Sequence, residues 1–162
     1  MNPQEDVVDH LRRLGVDHEI VPCDPSLADT AAFCEAYGYS PDDSANTIIV
    51  IGKGETPQPV ACVVLATTRL DVNGLVRRRL GVRKASFASA DETMKLTGME
   101  IGGVTAFALP DGLPIWVDAA VMARERIILG GGSRSIKVLT PPSTLTMLDG
   151  STVIDDLARA RE

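Results

Sequence analysis

Apolar residues in the first half of the chain recur with two different periods. Between Asp6 and Leu14 they stand three and four positions apart, which predicts an amphipathic helix that ends at Gly15. Residues 46–51 and 60–66 are instead continuous apolar runs rich in β-branched side chains, typical of strands that are buried on both faces. A turn rich in glycine, proline and charge separates these runs, so we predict that they form a hairpin.

Four further helices are indicated by residues that cap helix ends. Ser89 and Glu92 have the spacing of a capping box, in which each side chain accepts a hydrogen bond from the other residue's backbone amide. Thr140 precedes two prolines, which suit the first turn of a helix. The predicted helices span residues 29–37, 71–80, 89–97 and 140–148.

Short strand candidates alternate with these helices at residues 18–21, 85–88, 104–108, 115–117, 126–129 and 136–139. They outnumber the strands of a simple βαβ pattern, and short turns join most of them. The pattern predicts an α+β fold, with a mixed, strongly bent sheet or partial barrel flanked by helices. With 162 residues we expect one domain, 1–162, large enough to bury a core.

Composition and charge narrow the possible partners. The apolar runs are too short to span a bilayer, and the N-terminus lacks the apolar stretch of a secretory signal, so we expect a cytoplasmic protein without a membrane partner. A net charge of −6 argues against DNA and bulk nucleic-acid binding, although it allows capture of a single nucleotide end. The basic tract at 77–79 is either a solvated helix face or a phosphate contact.

The cysteines and histidines indicate neither a metal site nor a cofactor. Three cysteines without a recognisable pairing favour a reducing compartment. Cys34 and Cys62 lie in apolar segments and are predicted core residues, whereas Cys23 follows Pro22 and is the thiol that the sequence leaves open to solvent. A thiol enzyme that pairs Cys23 with His18 is the weaker alternative.

Two glycine-rich segments are the most distinctive feature of the chain. The first, residues 98–103, contains Gly98, Gly102 and Gly103, and the second is residues 130–133. Each segment is either a plain turn or a place where backbone amides approach a ligand oxygen. Two such corners can face each other across a pocket.

Several segments, in this order and spacing, resemble the YbaK family, also called the prolyl-tRNA-synthetase-associated editing domain. The resemblance covers residues 30–153 and is carried by Thr30-Ala31-Ala32, Asn46-Thr47-Ile48-Ile49-Val50, Leu96-Thr97-Gly98, Gly102-Gly103-Val104-Thr105, Ile115-Trp116-Val117-Asp118 and Gly130-Gly131-Gly132-Ser133. It implies a free-standing domain that hydrolyses the ester of a mischarged aminoacyl-tRNA. The 2′-hydroxyl of the terminal adenosine and a water would do the chemistry, without a protein nucleophile or cofactor.

The resemblance also implies roles for individual residues. The amides of Gly102 and Gly103 would hold the ester carbonyl, since preorganised donors stabilise the charge that builds there. The acceptor end of the tRNA would be bound by Thr30, Asn46 and Thr47, with Gly131, Gly132 and Ser133 as the opposite wall. Asp118 would either orient a substrate hydroxyl or ammonium group or merely cap a turn.

Two positions depart from the family pattern. Asn46 stands where members typically have a lysine, and Ala106 stands where the loop usually has proline. Asparagine brings hydrogen bonds but no charge. Arg69, Lys53 and Lys137 are the candidates for a replacement cation, and the sequence does not choose among them. The alternative function is therefore a catalytically weakened binding module for an aminoacyl ligand or a protein.

Overall fold

Strands from all parts of the chain form the fold, as seen in a computed structural model that describes residues 2–161. The strands are β1 (Glu19–Pro22), β2 (Ala45–Lys53), β3 (Gln58–Leu65), β4 (Thr68–Leu70), β5 (Lys84–Phe87), β6 (Ile115–Asp118), β7 (Ile127–Gly130), β8 (Ile136–Thr140), β9 (Ser151–Ile154) and β10 (Ala158–Ala160). The helices are α1 (Pro3–Leu14), α2 (Thr30–Tyr37), α3 (Arg77–Leu80), α4 (Ala90–Thr97), α5 (Ala119–Met122) and α6 (Ser143–Thr146).

The largest sheet has the strand order β5-β2-β3-β6-β9. The predicted hairpin β2–β3 is antiparallel, whereas β6 runs parallel to β3 and β9 runs parallel to β6. A second, antiparallel sheet has the order β1-β8-β7, and a bridge between Ser44 and Ile128 joins it to the start of β2. The predicted α+β fold with a mixed, bent sheet is confirmed.

Local sequence signals account for both ends of α1 and α4. α1 begins at a cap from Asn2, whose side chain accepts from the amide of Glu5, and it ends at Gly15 with φ 67°. The predicted capping box at Ser89 and Glu92 is present at the start of α4. Within residues 2–161 no helix combines the length and apolar character needed to cross a bilayer.

The predicted strand at 104–108 is wrong. The alternating, β-prone run predicted a strand, but Thr105, Ala106 and Phe107 are all buried, so the segment is surrounded by protein. Ala108 has φ 57°, which turns the chain out of an extended path, and its amide donates to His10 Nδ1 at 2.8 Å. The burial of residues 105–107 and the turn at Ala108 make this segment a packed loop instead of a strand.

Other boundaries also differ from the prediction. The helix expected from Asp71 starts with a π-helical turn at Val72–Val76, and the Asp71 carboxylate caps this turn by accepting from the amides of Gly74 and Leu75. The helix expected to reach residue 148 is only the four residues of α6. Strands β4, β9 and β10 and helix α5, each of three or four residues, are not among the predicted elements.

Candidate functional site

A cavity of about 270 Å³ opens where the two sheets meet, between β2 and β7. The start of α2 and the loop that follows α4 complete its walls. Its volume is slightly below the ~300–1,000 Å³ typical of small-molecule sites, so it suits a compact group. The polar side chains in the lining are those of Asp29, Thr30, Ser44, Asn46, Thr47, Thr93 and Lys137.

Three predicted substrate-binding residues, Thr30, Asn46 and Thr47, line this cavity together. Thr30 Oγ1 donates to Asn46 Oδ1 at 2.7 Å, which orients the side-chain amide of Asn46. The nitrogen of that amide has no acceptor among residues 2–161. The buried hydroxyl of Thr47 also has no hydrogen-bond partner in this part of the chain. Polar groups without protein partners are available to a ligand or water.

Gly102 is the predicted catalytic glycine that reaches the cavity. Its φ of 94° lies in the region that favours glycine. Within the described residues, the amides of Gly102 and Val104 donate no hydrogen bond, so both remain available. The amide of Gly103 instead donates to the carbonyl of Glu100 at 2.9 Å, which closes a turn. The structure thus differs from the expectation that the Gly103 amide faces a ligand.

The two glycine segments contact each other directly. The amide of Gly132 donates to the carbonyl of Gly103 at 2.7 Å. A Cβ on Gly103 would lie 2.6–2.8 Å from the backbone of Ser133, so side chains are excluded from this contact. Gly130 lines the cavity, whereas Gly131, Gly132 and Ser133 lie outside the lining. The opposite wall is therefore β7 up to Gly130, because the following residues pack against the first glycine segment.

Arg134 links two loops at the edge of the cavity. Its guanidinium donates to the carbonyl of Ile101 at 2.8 Å, to Asp29 Oδ1 at 3.1 Å and to the carbonyl of Pro25 at 2.9 Å. These bonds join the loop before α2 to the glycine loop. The guanidinium also occupies the space into which a side chain at Gly102 would project.

Lys137 is the lysine that the structure places in the cavity lining, whereas Lys53 and Arg69 are exposed on other parts of the sheets. Lys137 is buried, with only 7% of the residue exposed. Its Nζ donates to the carbonyls of Ala28 at 2.6 Å and Gly102 at 3.0 Å. Burial is the main cause of a pKa below the ordinary lysine value.

Asp118 ends β6 and lies outside the cavity lining. Its carboxylate is buried, and Oδ2 has no hydrogen-bond partner among residues 2–161. Burial raises the pKa of Asp118, and the backbone amides of Ala158 and Leu157 oppose this shift without cancelling it. The Asp118 carboxylate therefore lies against the backbone at the start of β10 and not in the cavity.

We expect Asp118→Asn to stabilise the protein at neutral pH. The native state holds the Asp118 proton to a higher pH than the unfolded chain, so this group stabilises folding at low pH and that contribution is lost as pH rises through the raised pKa. Asparagine has nearly the same shape without the charge. Thermal unfolding from pH 3 to pH 8 should show a higher Tm for the variant than for the wild type, and this difference should disappear as the pH falls. A gain that is equal at every pH would contradict a charge effect.

The thiol alternative receives no support from the geometry. Cys23 is buried, contrary to the solvent position that the sequence left open, and its Sγ donates to the carbonyl of Asp24 at 3.2 Å. Burial also raises the pKa of this thiol, which disfavours the thiolate. His18 Nδ1 is bonded to the carbonyl of Val16 at 2.9 Å. Among the described residues that line the cavity there is neither a histidine nor a cysteine.

Sequence reasoning missed the cavity roles of Gly130, Val104 and Phe33. Gly130 and Val104 belong to the quoted motifs but carry no predicted role, whereas nothing marks Phe33, because a helix interior has the same pattern whether it packs on a core or on a cavity. The basic tract lies elsewhere, on α3, where the Arg79 guanidinium sits 5.6 Å from the Trp116 ring centroid.

Comparison with known proteins adds the family context. A family model described as the aminoacyl-tRNA editing domain matches residues 24–146. Protein YwhH of Bacillus subtilis (strain 168), which is uncharacterized, is 25% identical over 150 residues, which are 93% of each chain. The crystal structure of hypothetical protein APE2540 has a TM-score of 0.84 at 24% identity, over 95% of this chain and 99% of its own. A candidate trans-editing enzyme for prolyl tRNA synthetase has a TM-score of 0.80 at 22% identity, over 96% of each chain.

Proposed function

Because the chain belongs to the aminoacyl-tRNA editing domain family, we propose that it is a deacylase that hydrolyses the ester of a mischarged aminoacyl-tRNA. The family prediction made from the sequence is thereby confirmed. In this proposal the acceptor end of the tRNA is the partner, and the aminoacyl group enters the cavity between β2 and β7. Three free cysteines suit action in the reducing cytoplasm.

An excess of hydrogen-bond donors in the cavity carries the proposal. The amides of Gly102 and Val104 and the Asn46 side-chain nitrogen have no acceptor within residues 2–161. An aminoacyl ester presents the matching acceptors, which are its carbonyl and the ribose oxygens. Donors held in place before the reaction also stabilise the negative charge that develops on the carbonyl oxygen.

The reaction is a hydrolysis in which water supplies the new bond. The water oxygen attacks the carbonyl carbon, the bond from that carbon to the ribose oxygen breaks, and the proton released by water passes to the ribose oxygen. The products are a free amino acid and a tRNA with both terminal hydroxyls. In this mechanism the Gly102 amide would bind the carbonyl oxygen as charge builds on it.

The lining supports a mechanism in which the substrate assists its own cleavage. A protein nucleophile needs an adjacent base to activate it. In the cavity Thr30 Oγ1 is bonded to Asn46, and the carboxylate of Asp29 is paired with Arg134, so neither is arranged as such a pair. The adjacent hydroxyl of the terminal adenosine would then position the water.

A screen of aminoacyl-tRNAs tests the proposal directly. Purified protein is incubated with a set of correctly and incorrectly charged tRNAs, and the remaining ester is followed over time. We expect at least one mischarged species to lose its amino acid well above the buffer rate. No hydrolysis of any species would contradict the deacylase. Measurable binding of an aminoacyl analogue without turnover would support the binding module, which the replacement of the family lysine by Asn46 motivates.

We expect Asn46→Ala to reduce deacylation about tenfold, since one hydrogen bond to the substrate and the bond from Thr30 are both lost. The measurement is kcat/KM on the best substrate of the screen. Asn73→Ala is the matched control, because Asn73 is exposed and lies outside the cavity. Equal activity of the two variants would remove Asn46 from the substrate site.

A further inference from the structure

Lys137 is a buried cation in the cavity without a carboxylate partner. Within residues 2–161 no carboxylate forms an ion pair with it, since the nearest acid in the lining, Asp29, is bonded to Arg134 at 3.1 Å. An ammonium group has three N–H donors, and two of them reach the carbonyls of Ala28 and Gly102. The third N–H of the Lys137 ammonium and its positive charge remain available to a ligand in the cavity.

The surroundings of Lys137 add to its positive field. Arg134 stands on the same hairpin, and Asp29, the one carboxylate among the described residues of the lining, forms its ion pair with Arg134. The ring of Phe33 lies with its centroid 5.5 Å from the ammonium, which shields it from solvent. The protein as a whole has a net charge of −6, so a positive cavity is a local property. A buried charge without a counter-ion is costly, and a bound anion would compensate it.

We propose that Lys137 selects an aminoacyl group with an acidic side chain, whose carboxylate takes the free donor of the ammonium. The inference rests on the proposed function in taking an aminoacyl group as the ligand. The depth of Lys137 favours the acyl chain over a phosphate, because the sugar-phosphate backbone would remain at the mouth of the cavity. In an aminoacyl ester the α-carboxyl is esterified, so only the side chain of aspartate or glutamate supplies a carboxylate.

Binding of two matched probes tests the inference without requiring turnover. The probes are 3′-amino-3′-deoxyadenosine carrying an aspartyl or an asparaginyl group, in which an amide replaces the hydrolysable ester. We expect calorimetry to show that wild-type protein binds the aspartyl probe at least about tenfold more tightly, since hydrogen bonds to charged groups are the stronger ones. Equal affinity for the two probes would overturn the inference.

Lys137→Met tests whether this residue is the source of the preference. We expect the ratio of the two affinities to fall to about one, while binding of the asparaginyl probe changes little. Lys95→Met removes a charge from the exposed face of α4 and should preserve the ratio. A loss that is equal for both probes would place Lys137 against the ester or the ribose and overturn the inference. If circular dichroism shows that the Lys137 variant does not fold, the ratio of the wild-type affinities for the two probes decides whether the inference holds.

A second pair of probes distinguishes the source of the anion. Both probes are given a 5′-phosphate, and a Lys137 effect that appears only with the phosphate would overturn the choice of an acyl carboxylate. Hydrolysis of aspartyl-tRNA and asparaginyl-tRNA is then compared. Absence of hydrolysis together with the aspartyl preference would contradict the deacylase and support the inference. Hydrolysis without an acidic preference would support the deacylase and overturn the inference.

Discussion

Gly103→Ala is expected to destabilise the protein by about 3 kcal/mol or more, because the added methyl has no space. Its Cβ would lie 2.6 Å from the carbonyl carbon, 2.7 Å from Cα and 2.8 Å from the nitrogen of Ser133. These are backbone atoms, so no side-chain rotation relieves the contact. The hydrogen bond from the Gly132 amide to the Gly103 carbonyl fixes the same approach. For a chain of this size the Tm should fall by roughly 6–12 °C.

Gly54→Ala is the matched control for this effect. Neither Gly54 nor Gly103 has a positive φ, so alanine strains neither backbone. At Gly54 the nearest atom to a new Cβ is the carbonyl oxygen of Thr56, at 3.9 Å. The two variants therefore differ only in the space around the methyl, and Gly54→Ala should change the Tm by little. Similar losses for both would show that the close contact of the two glycine segments does not determine stability.

The parts of this site that depend on local sequence signals could be predicted from the sequence. Thr30 begins α2 and Asn46 and Thr47 lie in β2 as predicted, because a helix cap and a β-branched run are local features. The direct contact of the glycine segments was not predictable from spacing. Residues 103 and 132 are far apart in the chain, and their contact joins the loop after α4 to the turn between β7 and β8.

The choice of Lys137 among three candidate cations also required the tertiary structure. In sequence, Lys137 has the place of an ordinary strand residue between apolar neighbours. Its strand β8 is central in its sheet, so the side chain points inward and meets the carbonyls of Ala28 and Gly102. Asp118 shows the converse case. The last residue of a family motif suggested a site residue, but the Asp118 carboxylate accepts from the backbone amides of Leu157 and Ala158, which follow β9.

Gly102→Ala is expected to reduce deacylation about a hundredfold with a stability loss of only about 1–2 kcal/mol. The φ of 94° is unfavourable for alanine, so the backbone around Gly102 must rotate and reorient its amide. The methyl would also displace the Arg134 guanidinium from its bonds to Asp29 and the Ile101 carbonyl. Arg134 can move, because its guanidinium is the end of a flexible side chain. Activity should therefore fall more than stability, which kcat/KM and the Tm measure separately.

Gly112→Ala separates backbone strain from the effect on the cavity. Gly112 has φ 84°, a new Cβ there has no atom within 4 Å, and the residue lies outside the cavity lining. Alanine at Gly112 thus brings a comparable strain without touching Arg134. We expect Gly112→Ala to lose no more stability than Gly102→Ala, with full activity retained only in Gly112→Ala. If both lose activity in proportion to stability, the Gly102 amide has no special part in catalysis. If only Gly102→Ala is inactive, the geometry of the glycine loop is required at the scissile ester.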